Sequence, residues 1–153
     1  MALNTDFTAG QILTATQQNN FPRGLVSVTS TTTSSGSISG ETLRVTSPSF
    51  TAVANRLYRI SYYEPVLQYV SGTVNVMLMR IRITNTAGAT QTFGESKIAS
   101  AGANTGYVSI TKTLTAGPTV FVATVAPTGG GNGNAYSASD AVCQLIIEDL
   151  GLA

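Results

Sequence analysis

Apolar and polar residues alternate along most of this chain, in short runs separated by Gly, Pro, Ser and Thr. Such a period of two places successive side chains on opposite faces of a strand. The run RLYRISYY (56–63) sets Tyr58, Ile60 and Tyr62 on one face, with Leu57, Arg59, Ser61 and Tyr63 on the other. VNVMLMRIRIT (74–84) carries an unbroken apolar face of Met77, Met79, Ile81 and Ile83. Its other face changes from Val74, Val76 and Leu78 to Arg80, Arg82 and Thr84, so one end of that face is expected to be covered. YVSITKTL (107–114) turns Val108, Ile110 and Leu114 inward, with Lys112 in phase and snorkelling near an edge.

Further strands are expected at LRVTS (43–47) and FTAVA (50–54), either side of a turn or bulge at Ser47-Pro48-Ser49, and at QTFGESKIAS, FVATVA and AVCQLIIEDL. NTAGAT (85–90) reads as a hairpin turn, and SVTSTTTSSGSISG (27–40) as a Thr-rich edge strand running into a loop. PTGGGNGNAYSAS reads as a long exposed loop, because it holds much glycine and little apolar surface. Its Asn132, Asn134 and Tyr136 are the candidate recognition loop. The set predicts an all-β fold, an antiparallel β-sandwich or jelly roll. The Cys…Trp…Cys framework of immunoglobulin domains is absent.

The first residues differ. Phe7, Ile12 and Leu13 are isolated apolar points in polar surroundings. Thr14 is placed to cap a short helix at about residues 15–20, with Gln17 at the capping-box position. Pro22 stops that helix, and Gly24 lets the chain turn. A helix this short needs a surface to dock on. Residues 1–24 are therefore expected to form an anchoring arm, with Phe7, Ile12, Leu13, Thr14, Gln17, Phe21, Pro22 and Arg23 as its contact residues, and residues 25–153 the β-domain. An arm packed along its own domain is the other reading of the same pattern.

Composition narrows the function. At 153 residues the chain suits one hydrophobic core. Only 10% of residues are charged, the net charge is +1, and Ser and Thr supply about a quarter of the chain. A surface with so little charge is weakly protected against self-association, as suits an assembly protein. There is no His, which removes His-based triads, His general bases and the usual zinc sites. The one cysteine, Cys143, lies in an apolar run and reads as a buried small hydrophobe. The carboxylates are scattered, and the adjacent Glu148 and Asp149 point to opposite faces of a strand. TGGGNGN lacks the Lys and following helix of a phosphate-binding loop. Eight basic residues against seven acidic ones, with no basic tract, argue against nucleic acid. No secretory signal or bilayer-spanning run is read. No enzymatic activity and no cofactor is expected. Tyr58, Arg59, Tyr62, Tyr63, Arg80 and Arg82 are the candidate interface.

Three phrases carry a resemblance. The opening holds Phe7-Thr8-Ala9-Gly10, Leu13-Thr14-Ala15, Asn19 or Asn20, and Pro22-Arg23-Gly24. Arg56, Tyr58, Arg59, Ile60 and Tyr62 form the second phrase, and Leu145, Ile147, Glu148, Asp149, Leu150 and Gly151 the third. In this order the chain resembles small virion proteins of tailed bacteriophages. The resemblance implies a jelly roll like those of tumour necrosis factor and C1q. It also implies a structural protein, made in the host cytoplasm and built into the virion as a homo-oligomer, a trimer first. Docking through the arm to the major capsid protein is expected. The alternatives are a minor tail, baseplate or fibre component, or a module binding a host surface or glycan.

Overall fold

The computed structural model describes residues 12, 14–73, 76–98 and 102–153. Phe7, Leu13 and Val74 lie outside the described residues. A six-residue helix, α1 (Ala15–Asn20), precedes eleven strands. These are β1 (Gly24–Thr31), β2 (Thr42–Thr46), β3 (Phe50–Ala52), β4 (Arg56–Ser71), β5 (Val76–Ile83), β6 (Thr90–Lys97), β7 (Ala103–Thr113), β8 (Gly117–Thr119), β9 (Phe121–Thr128), β10 (Asn132–Tyr136) and β11 (Cys143–Leu152). The helix stands where the capping box placed it.

Every strand pairing is antiparallel. Five of them nest: β5 with β6, then β4 with β7, β3 with β8, β2 with β9, and β1 with β11 outermost. The chain is thus one long hairpin, and rolling it up brings β11 against β4 and β9 against β5. The result is a jelly roll of two sheets, β1-β11-β4-β7 and β2-β9-β5-β6. β10 pairs with the far half of β4, beyond the end of β11, and β3 pairs with β8 in a small ladder.

Between the sheets lies a core in which two faces that alternation had marked, Tyr58, Ile60 and Tyr62 from β4 and Met77, Met79 and Ile81 from β5, are joined by Leu145 and Ile147 of β11 and Phe121 and Val125 of β9. Each such side chain contributes about 1.5–3 kcal/mol when withdrawn from water. Lys112 does reach an edge, where its Nζ donates to Gln91 Oε1 at 2.6 Å.

Two stretches depart from the sequence reading. The strand begun at Arg56 continues through Glu64-Pro65 to Ser71. Proline has no N–H for a ladder, and the register with β7 shifts between Glu64 and Leu67 to accommodate it. The glycine-rich segment is not one long loop, because Asn132–Tyr136 form β10 with Gly133 and Ala135 buried. A side chain at Gly133 would overlap the Met77 sulfur, so this glycine serves close packing rather than freedom of the chain.

Candidate assembly surfaces

The helical arm is fastened to its own domain. Gln17 N donates to Thr14 Oγ1 at 3.2 Å and Thr14 N to Gln17 Oε1 at 3.0 Å, completing the capping box. Ala15, Gln18, Asn19 and Asn20 are exposed, and Ile12 is 87% exposed, so none of these side chains holds the helix down. Backbone carbonyls do. Arg56, at the start of β4 and 2% exposed, donates from Nη2 to the Phe21 carbonyl at 2.7 Å and from Nη1 to the Asn19 carbonyl. The same guanidinium grips Asp149 of β11 through Nε at 2.6 Å and Nη2 at 2.7 Å.

Asp149 Oδ1 also accepts from Gly151 N at 2.9 Å. Burial acts to raise the Asp149 pKa, but the Arg56 hydrogen bonds and the Gly151 N–H outweigh it, and the carboxyl lies below its ordinary range. Gly151 itself has φ +102, and a Cβ there would stand 3.0 Å from the Asn20 carbonyl and 3.2 Å from Pro22 N. Only glycine lets the arm cross β11 this closely. The cross-strand pair Arg59–Glu148, at 2.7 Å, lies beside the clamp.

Residues from each of the three phrases that carry the resemblance therefore meet at one place. Asn19 to Pro22, Arg56, and Asp149 to Gly151 are far apart in the chain and form a single clamp. The sequence reading named Phe21, Pro22 and Arg23 as arm residues but did not find Arg56 and Asp149 as the anchor. The signal was there in a buried-face Arg and a buried-face Asp at the ends of two strands.

The candidate interface residues separate. Tyr58 and Tyr62 are 2% and 0% exposed and belong to the core. The Tyr58 hydroxyl oxygen accepts from Val53 N at 3.0 Å, and Tyr62 donates to Glu64 Oε2 at 2.7 Å. Arg59 and Tyr63 lie on the outer face of β1-β11-β4-β7, whereas Arg80 and Arg82 lie on the outer face of the other sheet. A partner on the first face meets Tyr63 (37% exposed), Tyr107 (64%), Val28 (45%) and Leu25 (63%).

Several polar groups on that first face are paired with one another. Tyr107 donates to Ser61 Oγ at 3.1 Å, Ser61 and Ser109 hydroxyls lie 2.9 Å apart, and Arg59 and Glu148 are paired in a bidentate arrangement. On the second sheet, Glu41 accepts from Arg82 at 2.7 and 2.8 Å and from Thr124 Oγ1 at 2.6 Å, and pairs with Arg80 at 3.3 Å. The Arg82 hydrogen bonds hold the Glu41 carboxyl below its usual pKa. Beside them a shallow groove of about 740 Å³ runs between Leu78, Arg80, Phe93 and Glu95.

Asn132 and Asn134, named as a recognition loop, are strand residues. Asn134 Oδ1 accepts from Ser35 Oγ at 3.1 Å, and Tyr136 is 42% exposed at the end of β10.

One titratable cluster is internal. Arg44 of β2 donates to Glu64 from Nε at 2.9 Å and from Nη2 at 3.1 Å, and to Ser137 Oγ at 2.9 Å. Glu64 is 0% exposed, so no substrate reaches it, and the cluster ties β2 to β4 across the sandwich. Cys143 lies within it, and burial pushes its thiol pKa up, which leaves it protonated and unreactive. Among the described residues no group of three His, Cys, Asp or Glu is placed to hold a metal ion. No helix among them is long and apolar enough to cross a membrane.

No protein-family model matches the chain, and no curated protein does. Among solved structures it is similar to the CBM22-1 xylan-binding domain of Paenibacillus barcinonensis Xyn10C, at 13% identity and a TM-score of 0.34. That similarity covers 76% of this chain and 86% of the other.

Proposed function

We propose that this chain is a non-enzymatic structural protein of a tailed-bacteriophage particle, displayed as an oligomer on the capsid and docked through the segment that precedes its sandwich. The clamp at Arg56 carries this reading. It joins residues from each of the three phrases by which the chain resembles small virion proteins, and it fixes the end of the arm at one corner of a rigid jelly roll. A docking segment transmits load only when its root is held, and the buried guanidinium holds this one by charge-assisted hydrogen bonds.

The outer face of β1-β11-β4-β7 supports contact between copies. Its exposed tyrosines and aliphatic residues surround polar groups that are paired with one another. Pairing of this kind lowers the cost of shedding water from the face, because the paired groups carry their partners with them. Its ion pair is internally neutral, so a second copy meets no repulsion.

Deleting residues 1–13 tests the docking, because Thr14 and the Arg56 clamp remain. The truncated protein is expected to keep its melting temperature and to vanish from assembled particles. Incorporation at wild-type occupancy would overturn arm docking. Cryo-electron microscopy of the particles then locates the protein, and density confined to the tail would replace the capsid assignment with that of a tail component.

A further inference from the structure

We propose that the groove on the outer face of β2-β9-β5-β6 binds a neutral polysaccharide, with Phe93 as stacking platform and Glu95 and Arg80 as hydrogen-bonding edges. This site is distinct from the arm and from the glycine-rich segment, and the proposal does not depend on arm docking.

Phe93 stands in mid-strand and is 61% exposed, directly across from Arg80 in the β5–β6 ladder. Leu78, half-buried, is paired with Glu95 one step along. The groove floor thus alternates an aromatic ring and an aliphatic side chain with a guanidinium and a carboxylate. Among the described residues Glu95 has neither an ion pair nor a hydrogen bond. Arg80 makes a single contact, to Glu41 at 3.3 Å, which leaves most of its N–H groups free. Gln91 is fixed at the rim, accepting from Lys112 at 2.6 Å and donating to the Ala89 carbonyl at 2.9 Å.

A pyranose fits this pattern. Its C–H face is weakly electropositive and stacks on the negative face of an aromatic ring, while its equatorial hydroxyls each need a donor and an acceptor in the plane of the ring. Arg80 and Arg82 share Glu41, and the exposed Lys97 lies on the same face as Glu95, so cations and carboxylates are interleaved and no cluster of unpaired cations favours phosphate or sulfate. The volume lies within the range of small-ligand sites, and strands rather than loops hold the groups, so little ordering opposes binding.

Native gel electrophoresis of the full chain through gels cast with dextran, β-1,4-xylan, galactomannan or β-1,3-glucan tests the proposal, with dextran sulfate as the charged control. Retardation is expected in at least one neutral polymer. Phe93→Ala and Glu95→Gln are each expected to weaken it ten-fold or more, while Tyr136→Ala leaves it unchanged. Both lead variants change exposed positions, so their melting temperatures should match the wild type. Retardation by none of the neutral polymers, or by dextran sulfate alone, would overturn the proposal. So would retardation that survives Phe93→Ala. If Phe93→Ala instead converts an oligomer into a monomer in the centrifuge, this face is covered by a second copy and the proposal fails.

Discussion

The thioether of Met77 in β5 occupies the space that a side chain at Gly133 of β10 would fill. The same fit recurs on the other side of β4, where a Cβ at Gly106 of β7 would overlap the Met79 sulfur and stand 2.9 Å from Leu67 Cδ1. Two methionines of one strand thus enter two glycine positions of the facing sheet. The flexible thioether suits such irregular gaps.

Gly133→Ala and Gly106→Ala should therefore each destabilise the fold by about 1–3 kcal/mol through overpacking. Urea unfolding measures this. Combining Gly133→Ala with Met77→Ala should cost less than the sum of the two single changes. Strict additivity would show that the two sites do not share the space.

Arg56→Ala should release the arm and leave Asp149 buried without its partner, at a cost of about 3–5 kcal/mol. Hydrogen exchange at Gln18 to Phe21 should rise well before global unfolding. The paired change Arg56→Met with Asp149→Asn should recover part of the stability but not the protection of the arm. Protection retained in either variant would contradict a clamp made by the guanidinium.

Acid should loosen this corner and also the Glu41 cluster on the other sheet. Asp149, Glu148 and Glu41 have folded pKa values lowered below their ordinary ones, Glu148 by the Arg59 hydrogen bonds and Glu41 by those of Arg82. A lowered folded pKa means the folded state holds fewer protons, so the contribution is fully present above the unfolded pKa values of about 4. It is lost as pH falls through the folded values. The melting temperature should be flat above about pH 5 and drop below about pH 4. A melting temperature that rises on acidification would contradict these pairings.

Tyr107→Glu places a charge in the middle of the outer face of β1-β11-β4-β7 without touching the core. Sedimentation should show the oligomer dissociating, with the monomer's melting temperature within about 1 kcal/mol equivalent of wild type. An unchanged sedimentation coefficient at equal concentration would remove this face as the contact between copies.

Cys143 should resist alkylation by iodoacetamide in the folded protein and react at the rate of unfolding. Its buried, protonated thiol allows no faster route.

What the sequence determined by itself was whatever depends on neighbours in the chain. Period-two alternation names the core faces of β4 and β5 because a strand's side chains alternate whatever it packs against. The capping box names α1 because Thr14 and Gln17 are one turn apart. Tertiary structure decided the rest. Pro65 ends no strand because a bulge against β7 absorbs its missing N–H. Asn132 to Tyr136 is a strand because β4 extends beyond β11 and offers a free edge, and because Met77 needs the space at Gly133. Arg59 and Tyr63 parted from Arg80 and Arg82 because rolling the hairpin put β4 and β5 in opposite sheets. The arm's anchor joins Arg56 to Asp149, 93 residues apart. Local alternation marks each as a charge on a buried face but not that the two pair, since the gain of that hydrogen-bonded charge exists only after β11 has folded back along β4.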